Sequence, residues 1–260
     1  MGSRAEDLLV SVRRCLRWGL CALMGALTCV LCGCQPKPHT VDAAQYDAFW
    51  LWGGVAPQPV LKQARTLYVL QGEIAPNPRQ PAISRLTAQG VSVTSMPHAD
   101  IWLVYRANTL HWSARERAQI IFQLTRWQQA GNRVLGVQID FDAQTRHLDE
   151  YVQFLAQLRR ELPANYQLSI TGLLDWASNA DAGAINQLKP IINEVVVQTY
   201  QGKSTIANYQ AYLSRLARLE VPFKIGLVQN GQWDAPRQLS RLPNFKGYVV
   251  FLVNPSNASK

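Results

Sequence analysis

The chain has 260 residues, 48% of them hydrophobic and 17% charged, with a formal net charge of +9. This balance excludes a disordered tail, a collagen-like repeat and a disulfide-stapled mini-domain, each of which needs a bias in charge, glycine or cysteine that is absent. All five cysteines (Cys15, Cys21, Cys29, Cys32 and Cys34) lie in the first 34 positions, so the two ends of the chain are different objects.

Arg13, Arg14 and Arg17 precede an uncharged apolar run over residues 18–31, the n-region and h-region of a secretory signal. The run closes on Leu31-Cys32-Gly33-Cys34, which resembles the lipobox of bacterial lipoproteins. The resemblance implies cleavage before Cys34 and acylation of its thiol. It also implies attachment to the outer membrane on the periplasmic side of the cell envelope, because Gln35 rather than an acid follows. Residues 1–33 are then a signal peptide, 34–45 a tether with Pro36 and Pro38, and 46–260 a single folded domain. Two other readings stay open: an uncleaved anchor, since residues 18–34 are close to the shortest membrane span of about 17 residues, and a twin-arginine signal around Arg13-Arg14.

Beyond the leader the only cysteine is Cys34, and His39, His98, His111 and His147 are scattered without ligand spacing, so neither a metal nor a cofactor is expected. Lysine and arginine are dispersed and no basic run reaches five residues, which argues against nucleic acid as partner. A solvated basic surface facing anionic envelope polymers is the expected use of the charge.

From residue 46 onward, apolar runs predict eight strands, at residues 46–55, 66–74, 101–108, 134–142, 167–176, 194–200, 222–228 and 247–253. Between them apolar residues recur at three and four. Ser113 with Glu116 reads as a capping box opening a helix that runs through Ile120, Leu124 and Trp127 to Gly131. Leu148, Tyr151, Leu155 and Leu158 form the next stripe, ended by Pro163. Further helices are expected at 182–192 and 206–219, with shorter ones near Val60, Ile83 and Gln238. Continuous alternation of strand and helix means a parallel sheet. Eight units in one domain fit a compact (β/α)₈ TIM barrel of the α/β class. The competing open doubly wound sheet wants a glycine-rich phosphate loop, and no such motif is present.

In such a barrel, chemistry sits at the carboxyl ends of the strands. The fourth strand reads Gly136-Val137-Gln138-Ile139-Asp140-Phe141-Asp142. Val137, Ile139 and Phe141 share one parity and suit the helix layer; Gln138, Asp140 and Asp142 share the other and point inward. Carboxylates two apart on a strand are about 6.6 Å apart, and their repulsion raises at least one pKa, a cost that a fold alone does not require. The purely structural alternative makes Asp140 a satisfied core acid and Asp142 a helix cap. Other strand ends add Gln71, Glu73, Tyr105, Arg106, Asp175, Trp176, Gln198, Tyr200, Gln201, Gln229 and Asn254 around the same mouth. Trp50, Trp52, Trp176 and Trp233 lie near strand ends, where an indole face can stack on a sugar ring.

The fourth-strand segment resembles the D-x-x-D-x-D-x-E signature of chitinase-type enzymes of glycoside hydrolase family 18. Gln138 takes the place of the middle Asp, Asp140 matches the last Asp, and Asp142 replaces the catalytic Glu. Val197-Gln198-Thr199-Tyr200 is similar to that family's Met-x-Tyr-Asp segment, with Gln201 standing in for its acid. The chain as a whole resembles an uncharacterised bacterial family described only as a domain of unknown function. The segments that carry this likeness are Gln138 to Asp142, Leu168-Ser169-Ile170-Thr171-Gly172-Leu173-Leu174-Asp175-Trp176, and Gln198-Thr199-Tyr200-Gln201-Gly202.

The first resemblance implies metal-independent acid/base hydrolysis of a polysaccharide, with Asp142 as general acid and Asp140 as its orienting partner. Gln138, Glu73, Asp175, Trp176, Gln198, Tyr200 and Gln201 would contact substrate. Asp142 is one methylene shorter than Glu, a misplacement that can cost about 10²-fold in rate. A second carboxylate facing Asp142 across the mouth, from Glu73 or Asp175, would suit hydrolysis better. The rival expectation is a glycan-binding or envelope-assembly lipoprotein whose barrel has lost catalysis. A third is a barrel that only binds a protein partner.

Overall fold

The computed structural model describes residues 39–142, 148–174 and 185–254. The strands are β1 (Ala48–Leu51), β2 (Thr66–Asn77), β3 (Gln80–Ala88), β4 (Asp100–Ala107), β5 (Arg133–Asp140), β6 (Gln167–Leu173), β7 (Glu194–Gln198), β8 (Tyr200–Gln201), β9 (Ser204–Thr205), β10 (Phe223–Val228) and β11 (Phe245–Phe251). Helices are α1 (Ala114–Gln129), α2 (Leu148–Glu161) and the short α3 (Tyr209–Leu213).

Eight strands pair in parallel around a closed ring, in the order β1, β2, β4, β5, β6, β7, β10, β11 and back to β1. The molecule is therefore a TIM barrel, and each of the eight strands lies within or across one of the eight apolar runs of the sequence. Closure removes both sheet edges and leaves every ring strand bonded on two sides.

Period-two alternation sorts the side chains. Val69, Leu103, Val137, Ile139, Leu168, Ile170, Val197 and Ile225 face outward into one core with Ile120, Leu124 and Trp127 of α1 and Tyr151, Leu155 and Leu158 of α2. Trp50, Tyr68, Trp102, Val104, Val196 and Val249 fill the barrel itself. Each fully buried aliphatic or aromatic side chain contributes about 1.5–3 kcal/mol of burial free energy, so the outer layer holds the helices and the inner one keeps the ring from collapsing. Helix α1 starts as its sequence dictates: the Ser113 hydroxyl accepts from Arg115 N, and Glu116 accepts from Ser113 N at 2.7 Å.

Two expectations are corrected. The short helix near Ile83 is instead β3, antiparallel to β2, with Gly72 opposite Ala88 and Pro76 opposite Ser84. Asn77 Oδ1 accepts from Arg79 N at 2.9 Å, so the Asn77-Pro78 turn folds the chain back before a helix can form. Strand thus follows strand at β2, β3 and β4, as it does again at β7, β8 and β9.

Residues 39–45, read as tether, are packed on the barrel. Val41 N donates to Gly231 O, Thr40 bridges Gln232, and Val41 and Ala43 are buried. Among the described residues no helix is long and apolar enough to cross a membrane. Cys34, Asp175 and Trp176 lie outside the described residues.

Candidate functional site

Strand β5 ends at the mouth with its inward carboxylate, Asp140, which is 8% exposed. It stands beside Arg106 of β4 in register, and Thr171 Oγ1 of β6 donates to its Oδ1 at 2.9 Å. Burial pushes the Asp140 carboxyl up to about 6; the Thr171 bond opposes the rise, Asp142 adds to it and Arg106 counteracts it. Asp142, two residues on, is exposed.

Asp140 and Asp142 line one cavity of about 510 Å³ with Trp52, Arg106, Leu173, Gln198, Tyr200, Gln201, Gly202, Ile206 and Phe251. One wall is aromatic: Tyr200 stacks on Phe251 at 5.6 Å, and Trp52 meets Phe251 edge-on at 5.6 Å. The Arg106 guanidinium lies 5.8 Å over the Trp52 ring, a cation–π contact that closes the wall. Burial, with the Asp140 charge adding, holds the Tyr200 phenol well above its ordinary value, so it stays a neutral donor; a side-chain bond to Gln198 acts the other way.

Strand ends β8 and β9 position Tyr200. They form a tight hairpin, with Tyr200 opposite Thr205 and Gly202 at φ +58° in the turn. That left-handed φ favours glycine, which is why Gln201-Gly202-Lys203-Ser204 turns here.

Of the residues expected at the mouth, Asp140, Asp142, Gln198, Tyr200 and Gln201 come together. Gln138 is one layer deeper and fully buried: its Oε1 accepts from Trp50 Nε1 at 2.6 Å and its Nε2 donates to Ser169 Oγ at 2.9 Å. It is part of the floor and does not line the cavity. Glu73 is also outside the cavity lining, its oxygens accepting from Asn108 Nδ2 and Gln89 Nε2. Gln71, expected at the mouth, is displaced by an irregularity between Leu70 and Gly72 in the pairing with β4. This β-bulge turns Gln71 outward, where its Oε1 accepts from Trp127 Nε1 at 2.7 Å.

Sequence reading singled out neither Phe251 nor Ile206, and did not pair Arg106 with Trp52. Phe251 carried a usable signal: it sits at the carboxyl end of the eighth apolar run, the place where barrel sites are built. Nothing local marks Ile206.

Among the described residues no group of three or more His, Cys, Asp or Glu is placed to hold a metal ion. The side chains at the mouth offer a proton carrier, a second carboxylate, amide and phenol donors and acceptors, and an aromatic wall.

No curated protein matches this sequence. Among solved structures, the spore cortex-lytic enzyme SleL of Bacillus cereus is similar at a TM-score of 0.47 and 16% identity, over 70% of this chain and 49% of that one. The chitinase domain of the spore coat protein CotE from Clostridium difficile gives 0.46 and 10%, over 76% and 67%. A tamarind chitinase-like lectin gives 0.42 and 14%, over 79% and 94%. The chain thus spans about half the length of SleL. Over residues 108–232, which include β5 to β10 and both mouth carboxylates, the chain matches the family model of DUF3142, a domain of unknown function.

Proposed function

We propose that the protein is a cell-envelope lipoprotein, anchored through Cys34, whose barrel mouth acts on a polysaccharide by acid/base hydrolysis without a metal. The observation that carries this reading is Asp140. A carboxyl raised to about 6 beside a second carboxylate, at the base of a cavity walled by Trp52, Tyr200 and Phe251, has the properties of a proton donor to a leaving sugar oxygen. Asp140 carries the proton, and the exposed Asp142 supplies negative charge to the developing oxocarbenium ion or directs water. This reverses the roles implied by the family 18 resemblance. Tyr200, Gln198 and Gln201 position hydroxyl groups, and the aromatic wall takes the apolar face of a sugar ring.

One observation favours a second reading, a glycan-binding protein without turnover. Among the described lining residues Asp140 and Asp142 are the only carboxylates, and both come from one strand end. Glu73 is committed to Asn108 and Gln89.

Mass spectrometry of products from chitin oligomers, poly-N-acetylglucosamine and peptidoglycan separates the two. Cleavage lost in both Asp140→Asn and Asp142→Asn supports hydrolysis. Intact substrates that nevertheless bind support the second reading.

A further inference from the structure

Below the cavity, the barrel interior holds a chain of polar groups that the mouth chemistry does not use. Lys224 Nζ of β10 donates to Tyr68 OH at 2.8 Å and pairs with Glu194 Oε2 of β7 at 3.2 Å. Tyr68 OH donates to Glu194 Oε1 at 2.6 Å, and Ser169 Oγ donates to the same oxygen at 3.1 Å. Ser169 in turn accepts from Gln138 Nε2, and Gln138 Oε1 accepts from Trp50 Nε1. Gln138 and Ser169, and then Ser169 and Glu194, are register partners on adjacent strands, so the backbone ladder itself brings the chain together.

We infer that Glu194 and Lys224 are positioning residues for the cavity: through Ser169 and Gln138 they fix the Trp50 indole beneath Tyr200. The inference rests on the mouth being the binding site proposed above.

The direction of the bonds carries the argument. Indole Nε1–H is a donor only, so Gln138 must turn its oxygen toward Trp50 and its NH₂ toward Ser169. The Ser169 oxygen must then accept, and its own proton must go onward to an acceptor. A carboxylate is an acceptor only, and Glu194 stands at the convergence of Lys224, Tyr68 and Ser169. Donors therefore run toward Glu194 from both sides, from Lys224 through Tyr68 and from Trp50 through Gln138 and Ser169. The amide has a single orientation, set by the indole donor at one end and the Ser169 bond to Glu194 at the other.

Trp50 transmits this order upward. Its ring meets Tyr200 edge-on at 6.3 Å and Tyr68 at 5.8 Å. Behind it, a Cβ on Gly226 would stand 2.7 Å from Trp50 Cζ3, so the indole fills its slot completely. Tyr200 stacks on Phe251, and both line the cavity. A tilt of Trp50 displaces the tyrosine that sits beside the Asp140 charge.

The test uses the full chain in detergent with ¹⁵N-indole tryptophan and ¹³C tyrosine, Trp50 and Tyr200 being assigned through Trp50→Phe and Tyr200→Phe. Ser169→Ala cuts the link and leaves the Lys224–Glu194 pair in place. It is expected to shift the Trp50 Nε1–H and Tyr200 signals and to weaken chitin-oligomer binding about tenfold, the loss of one oriented bond. Glu194→Gln is expected to do the same, and the double variant no more than either alone, because the two act in one chain. Leu124→Ala, a cavity in the helix layer, serves as the control for stability and is expected to leave these signals in place.

Unmoved Trp50 and Tyr200 signals in Ser169→Ala overturn the inference, as does an equal shift in Leu124→Ala. Shifted signals in a protein whose wild type binds no chitin oligomer support the positioning chain and count against the glycan reading alone.

Discussion

Thr171 Oγ1 donates to Asp140 Oδ1 at 2.9 Å one rung above the bond from Gln138 Nε2 to Ser169 Oγ, so β5 and β6 form two stacked polar rungs inside the barrel. The lower rung is tied to an ion pair, the upper one opens on the cavity. The same alternation that builds a core thus delivers one carboxylate to the mouth, where the Thr171 hydroxyl donates to it.

The pH dependence of stability reports that carboxylate. Because Asp140 is raised from 3.8 to about 6 in the folded chain, the folded state holds its proton more tightly than the unfolded one between these values. Its contribution is fully present below pH about 4 and is lost as pH rises through about 6, a change of about 3 kcal/mol. Asp140→Asn is expected to be more stable than wild type at pH 8 and to flatten this part of the profile in urea titrations at pH 4, 6 and 8. A variant less stable than wild type at pH 8 contradicts the assignment.

Breaking the interior ion pair from one side leaves a buried charge. Lys224→Met is expected to cost about 3–5 kcal/mol, and Lys224→Met combined with Glu194→Leu to recover part of that loss. Denaturant midpoints of the two variants at one pH decide it; a double variant that is weaker than the single one refutes the account.

Gly226 faces the Trp50 ring with no room for a methyl group. Gly226→Ala is expected to lower stability by about 1–3 kcal/mol through overpacking and to perturb Trp50 emission. A neutral effect would mean that the indole has slack beneath Tyr200.

At the start of α1, Ser113→Ala removes a side-chain acceptor from the first turn and is expected to cost about 1 kcal/mol, with Ser113→Asp retaining most of it. Thermal melts of the two variants measure the difference, and equal loss in both would show that the hydroxyl does not act as a cap.

Which faces of which strands are buried was legible along the chain, because period two is a local property. Val137 and Ile139 against Gln138 and Asp140 needed only the order of residues in β5. The helix start at Ser113 and the stop near Gly131 were equally local, set by capping chemistry. The tertiary structure alone decided who meets whom. Ring closure, with β1 between β2 and β11, brings Trp52, Phe251 and Arg106 from opposite ends of the chain to one wall. A single bulge after Leu70 moves Gln71 out to Trp127, and no periodic pattern can announce it. The Asn77 turn makes a hairpin where spacing suggested a helix. Glu194 and Lys224 read as ordinary charges at strand starts, and only the register of β6, β7 and β10 places them beneath the cavity with Tyr68 and Ser169. Patterning fixes faces because burial is decided residue by residue, whereas a site is a relation among distant residues, fixed by register, bulges and closure.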